Sequence, residues 1–302
     1  MKKRFIVFMV CFAAILCFSS VNKAFAQIDS TQKEDLVRSL VFSAIFHVDA
    51  IEEGFLLYQH EKMAWWGSDA YQLSSQKGEV DLYFTYFTDS TMHTIFGNNK
   101  GEAVFEFMVD KKSLSSASLD TIRPMTEQEK MLYTQKRTMI ETLQKLDEEG
   151  KIQISHPNPQ YASFNIDVVR VNDTLSRLYI LTGVFLKDVM PFGNDYALDF
   201  DNENNFLAFH TFHKNFYPLY KEDGWSADDL PMHSHEEEET PFITATDICN
   251  YYLYARDKYK IKSFGIYSPE HKCKYIFLGD EQRVIPIQDK EQEEQKEEND
   301  SK

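Results

Sequence analysis

Cysteine is scarce in this chain. Of the four in 302 residues, Cys11 and Cys17 fall in an N-terminal apolar run, which leaves Cys249 and Cys273 beyond it. Two cysteines make no disulfide framework, and their spacing matches no zinc site built on paired thiolates. They stand either as one disulfide in an oxidising compartment or as two small buried apolar residues. Positive charge is short as well: 32 Lys and Arg face 48 Asp and Glu, for a net charge of −16 at pH 7. A chain this acidic is poorly suited to phosphate backbones or anionic lipid, so nucleic acid is not expected as a partner. There is no glycine-rich phosphate loop, no Gly-x-Ser-x-Gly and no cysteine nucleophile with a partner. The longest hydrophobic run, residues 5–19, is too short for a comfortable membrane span.

That run sits where an export signal would. Lys2, Lys3 and Arg4 precede it, and Ala24-Phe25-Ala26 supplies a small-x-small cleavage site before Gln27. Residues 1–26 are therefore expected to be a removable signal peptide, with the protein periplasmic or extracellular and no stable membrane span afterwards. Their loss removes Lys2, Lys3, Arg4 and Lys23 and no acid, which takes the net charge from −16 to −20. What remains is long enough for one large or two medium domains, and aromatics at 14% can fill large cores.

Periodicity divides the rest. Residues 31–63 read as a helix, with Leu36, Leu40, Ala44, His47, Val48 and Ile51 on one face and His47 as a packed core histidine. Trp65-Trp66-Gly67 reads as its end or a turn. Residues 79–110 alternate as strands, with Asn98-Asn99-Lys100-Gly101 as a hairpin turn. Thr126-Glu127-Gln128-Glu129 is a capping box that opens a second helix, and Gly150 closes it. Further strands are expected at 151–154, 162–171, 177–186, 196–200 and 206–212, then a helix at 246–259 and short strands at 263–267 and 274–278. The expected fold is α+β: an N-terminal helix plus β-hairpin part (27–150), a C-terminal mixed sheet flanked by helices (151–287), and a disordered acidic tail (288–302).

The stretch with most chemistry is His233-Ser234-His235 followed by Thr244-Ala245-Thr246-Asp247. Histidines at i and i+2 of an extended segment point to one side, so both can hold one ion. Asp247 starts the next helix, where amide N–H groups favour a carboxylate. Three protein ligands that leave a fourth position for water are the usual catalytic zinc arrangement, and the Thr244 hydroxyl can stand beside that open position. Another reading is open: Glu236 to Glu239 as a solvated loop, His233 and His235 in the same exposed hinge, and Thr244 and Thr246 as ordinary helix caps. His210-Thr211-Phe212-His213 is a second histidine pair, expected to face opposite sides of a strand, with His210 the one able to approach His233.

His-x-His, a short loop, a hydroxyl residue, two more residues and Asp at a helix start resemble the motif of the JAMM metalloprotease family. The resemblance covers about residues 195–280. It implies a mixed sheet flanked by helices, zinc held by His233, His235 and Asp247, Thr244 in place of the serine that holds the catalytic water or oxyanion, and amide-bond hydrolysis. The chain differs from the family in a spacer one residue longer and in Glu236 where a proline is usual. For the general acid, Glu203 is the nearest glutamate in the strand region, with Glu222 in a loop. The resulting expectation is an exported zinc-dependent hydrolase acting on a peptide or cell-wall-like substrate. The alternative is a non-catalytic exported binding or envelope-associated protein, with Trp65, Trp66 and the Tyr83, Phe84, Tyr86 and Phe87 set as a carbohydrate or peptide platform.

Overall fold

The computed structural model describes residues 30–75, 78–236 and 240–288, with side chains from residue 47 onward. The expected signal segment and nearly all of the acidic tail lie outside the described residues. Among the described residues 13 strands form three sheets beside the helices, an α+β fold. No described helix is long and apolar enough to cross a membrane.

Helix α1, Ser30–Leu73, runs about ten residues beyond its expected end and carries Trp65, Trp66 and Gly67 within it. Partners for its last turns explain the length. Trp65 meets Tyr254 edge-on at 5.2 Å, and Tyr71 stacks on Phe96 at 5.4 Å. A Cβ on Gly67 would lie 3.0 Å from the Phe96 ring, so the missing side chain brings helix and sheet together.

Sheet A holds β1 (Leu82–Phe87), β2 (Thr91–Gly97), β3 (Glu102–Asp110) and β4 (Ser116–Leu119) in that order, with β5 (Arg123–Pro124) also on β3. The β2–β3 turn is the expected one. Asn98 Oδ1 accepts the Lys100 and Glu102 N–H groups, and Gly101 takes the left-handed conformation at φ 76°. Helix α2, Glu127–Glu148, begins with the expected capping box, and Gly150 follows its end at φ 65°. Residues 151–154, expected as a strand, form none.

Sheet B is an antiparallel meander of β6 (Ala162–Asn172), β7 (Leu175–Val184), β8 (Val189–Phe200) and β9 (Phe206–Tyr220). One face packs Leu178, Ile180, Tyr196 and Phe200 against Met139 and Leu143 of α2. The other packs Val169, Tyr179 and Ala197 against Leu57 of α1 and against Cys249 and Leu253. Each fully buried side chain of this kind contributes about 1.5–3 kcal/mol. Sheet C is mixed. β10 (Met232–Ser234) lies parallel to β11 (Ser263–Ser268), and β12 (Cys273–Leu278) and β13 (Arg283–Gln288) continue it antiparallel. The C-terminal region thus has two sheets rather than one, and β13 occupies residues assigned from sequence to no element, its last one to the tail.

Helix α3, Ala245–Asn250, continues as a π-helical turn at Tyr251–Arg256 and a short α4, Asp257–Tyr259. The described residues from His47 onward form one compact unit. Cys249 and Cys273 are free thiols, both buried, which decides between their two readings in favour of small apolar residues. His47 is packed as expected, with the rings of Phe242 and Tyr275 at 5.3 and 5.0 Å.

Candidate metal centre

Three elements and a loop bring four ligand-type side chains together. His213 comes from β9, His233 from β10, His235 from just beyond β10, and Asp247 from the first turn of α3. One ligand atom from each lies within 4.8 Å of all the others. The group is dry: side-chain exposure is 0% for His213, His235 and Asp247 and 2% for His233.

The sequence places each of them for a local reason. His233 pairs with Ile266 in the parallel β10–β11 ladder, and the His235 N–H donates to Tyr267 O at 2.9 Å. The segment stays extended through both histidines, so both rings fall on one side. Phe192 and Tyr217 stack on the His233 ring at 4.9 and 5.7 Å. Asp247 is the third residue of a capping box. Thr244 Oγ1 accepts the Asp247 N–H at 3.0 Å, and Asp247 Oδ2 accepts the Thr244 N–H at 2.9 Å and its hydroxyl at 2.8 Å. Those bonds use one carboxylate oxygen and leave Oδ1 aimed at the histidines, 3.2 Å from His233 Nε2 and 3.6 Å from His213 Nε2.

Hydrogen bonding fixes two tautomers. His235 Nδ1 is 2.6 Å from Thr240 O, and a carbonyl only accepts, so Nδ1 carries the proton. His213 Nδ1 donates to Asp195 Oδ1 at 2.7 Å for the same reason. Their Nε2 atoms meet each other at 2.9 Å, and a proton shared between them would satisfy that pair alone. It would leave both nitrogens of His233 and Oδ1 of Asp247 buried without a hydrogen-bond partner. A cation at the common centre answers all four residues. Donors about 2.0–2.2 Å from a tetrahedral ion lie about 3.4 Å apart, and the contacts here run from 2.9 to 3.6 Å.

Charge favours a cation too. Burial lowers the pKa of His233 and keeps the ring neutral, as a ligand must be. Burial alone would raise the Asp247 carboxyl, but positive charge at His213 and His233 holds it well below its ordinary range; with those rings neutral, a cation at the centre would supply that charge. The carboxylate behind His213 is the arrangement that orients a ligating imidazole and raises its basicity. The group of His213, His233, His235 and Asp247 can therefore bind a metal ion.

His233, His235 and Asp247 are brought together as the sequence suggested. Thr244 sits beside them, but its hydroxyl is taken up by Asp247 and by Thr246 Oγ1, each at 2.8 Å, so it orients a ligand instead of facing an open position. Glu203 does not join the centre. It lies exposed in the β8–β9 turn, where its N–H caps Asp201, beyond the end of β8 and more than five residues, or about 17 Å of strand, from Asp195. Glu222 is exposed in a later turn.

His213 and Asp195 are the members that sequence reasoning missed. The expectation was that His210 approaches His233 and that His213 faces away. A register shift in the β8–β9 ladder at Asp195/Tyr196 overturns it. The one extra residue on β9 between the two histidines reverses the alternation, so His210 and His213 share a face. His210 bonds Asp199 at 2.8 Å, and His213 bonds Asp195 and enters the centre. A second shift follows at Gly193/Asp195, where Gly193 stands at φ 78° and a Cβ would lie 2.2 Å from Asn215 O. The run Pro191-Phe192-Gly193-Asn194 was the available signal, a breaker inside a strand that points to a bulge.

Comparison of the chain with protein-family models, curated proteins and solved structures finds no match.

Proposed function

We propose that this chain is an exported zinc protein whose centre, built from His213, His233, His235 and Asp247, is closed and organises the fold. The observation that carries this reading is the count of inward-facing, solvent-free ligand atoms: three imidazole nitrogens and one carboxylate oxygen. Four protein ligands complete a tetrahedron and leave no place for water, as in structural zinc sites. The donor set suits zinc, since imidazole and carboxylate are both common zinc ligands. Bound there, the ion would tie β9, β10 and the start of α3 into one unit. This reading belongs with the non-catalytic class, an envelope or binding protein.

A second reading, an amide hydrolase of JAMM type, is favoured by one specific observation. His213 Nε2 has the longest contact to Asp247, 3.6 Å, and its Nδ1 is held by Asp195 at 2.7 Å. An imidazole oriented by a carboxylate is how a general base is commonly held. Here His233, His235 and Asp247 alone would hold zinc, whose contribution is to lower the pKa of water toward neutrality. His213 would then supply the proton transfer, a role for which neither Glu203 nor Glu222 is placed.

One experiment separates the two. Zinc per chain is measured by elemental mass spectrometry for the untagged protein, for His213→Ala and for His233→Ala/His235→Ala. One zinc per chain, lost in both variants, supports the closed centre. Zinc kept in His213→Ala and lost in the double variant moves the assignment to the hydrolase reading, to be pursued with amide substrates. No zinc in the parent protein would sink both.

A further inference from the structure

A cavity of about 320 Å³ opens between β1, β6, α1 and α2, and it shares no residue with the metal centre. β1 and β6 are the terminal strands of sheets A and B. The cavity therefore lies where two sheets end side by side, a common place for a ligand site because neither backbone edge is covered by a further strand.

Its deepest polar wall is a buried charge cluster. Lys136 Nζ donates to Asp167 Oδ1 at 3.0 Å and lies over the Tyr83 ring at 3.9 Å. His60 Nδ1 is 3.3 Å from Asp167 Oδ2, but the alignment is too poor for a hydrogen bond, and both atoms are buried without a partner. Such atoms cost about 1–3 kcal/mol each unless something satisfies them. His60 and Asp167 belong to the cavity wall, with these two atoms closed off behind its surface. Nearer solvent stand Gln135, Arg170 and Ser176, with a 3.1 Å bond from Arg170 Nη1 to Ser176 Oγ. The remaining wall combines Phe84, Tyr86 and Phe87 of β1 with aliphatic Leu56, Leu132 and Val168.

Three properties narrow the ligand. The volume is at the small end of ligand pockets, about 300–1,000 Å³. The charges are of both signs and interleaved, so an anion meets Asp167 and an ammonium meets Lys136 and Arg170; a neutral ligand meets neither penalty. The polar groups include both donors and acceptors and stand against aromatic faces, which suits a molecule carrying hydroxyls around its edge and C–H groups on its face. We propose that this cavity is a binding site for a small neutral saccharide, with ring hydroxyls on Gln135, Arg170 and Ser176 and an apolar ring face on the β1 aromatics. The site turns the Phe84–Phe87 stretch into one wall of a binding pocket. It stands independently of the metal centre.

The test is saturation-transfer NMR and titration calorimetry on the full untagged protein. The probes are glucose, galactose, N-acetylglucosamine and cellobiose, with phenylpropionate and phenethylamine as charged probes of similar size. Binding of at least one saccharide, weakened about tenfold or more in Gln135→Ala/Arg170→Ala with circular dichroism and metal content unchanged, is the expected result. That double variant removes side chains near the mouth, so folding is spared. The proposal is overturned if no saccharide binds, if a charged probe binds more tightly than all four, or if the double variant binds as the parent does. Repeating the titration after chelation separates this outcome from the fate of the metal reading.

Discussion

Removing the ion with a chelator should destabilise the fold by an amount that the geometry sets. Without a cation, His233 Nε2 and Asp247 Oδ1 are buried with no hydrogen-bond partner. Each unsatisfied buried group costs about 1–3 kcal/mol, so the two cost at least about 2 kcal/mol. Total stabilities of about 5–15 kcal/mol make this a sizeable fraction. For a unit of this size each kcal/mol moves Tm by about 2–4 °C, which gives a fall of about 4–8 °C. Differential scanning calorimetry of the protein without its expected signal segment reads it, first as purified, then in chelator, then with zinc returned. Recovery of Tm on adding zinc, and not on adding calcium or magnesium, is expected from the three imidazole ligands. A change below about 2 °C in chelator, in a protein that holds metal beforehand, would refute the argument that the ion closes the centre.

Thr244→Ala removes both the helix cap and the group that orients Asp247, so it should cost about 1 kcal/mol of stability and weaken metal affinity about 10–100-fold, read by competition with a zinc indicator. Gly54 touches the start of α3: a Cβ there would stand 2.6 Å from Ala245 O and 2.6 Å from Ile248 Cβ. Gly54→Ala should therefore cost about 1–3 kcal/mol in urea unfolding and loosen the metal through Asp247, whereas an unchanged midpoint would mean that the helices part freely. Glu61 is fully buried; burial first, then the charge of Asp167, push its carboxyl up to about 8 from 4.5. The folded state thus keeps a proton that the unfolded chain releases, and stability is fullest below 4.5 and falls as pH rises toward 8. Glu61→Gln should flatten that slope, matching the parent near about pH 4 and exceeding it by roughly 2–4 kcal/mol near pH 9 in urea titrations.

How much of this was legible depends on how local each cause is. The capping boxes at Thr126 and Thr244 were readable because their bonds join residues three apart. The Asn98 to Gly101 turn was readable because a left-handed glycine and a side-chain acceptor are properties of the turn itself. The His233–His235 pair with Asp247 was readable for the same reason, as alternation and helix start act over a few residues. The α+β class followed from these local patterns. The length of α1 was not readable: only the partners at Tyr254 and Phe96 keep residues 65–73 helical.

By itself, then, the sequence determined the pieces whose energetics close within one turn or one hairpin, including three of the four residues at the metal centre. Tertiary structure alone decided the fourth. His213 enters because one bulge in the β8–β9 ladder, at Asp195/Tyr196, reverses the side it faces and because Asp195, eighteen residues away, meets its Nδ1. It likewise sent Glu203 to an exposed hairpin tip, gave Thr244 to Asp247 rather than to an open coordination position, and set Lys136, Asp167 and His60 around one cavity. The physical reason is common to all of these. Strand register and packing between sheets are set by many weak contacts summed over the fold, and a shift of one residue turns a side chain from one face to the other.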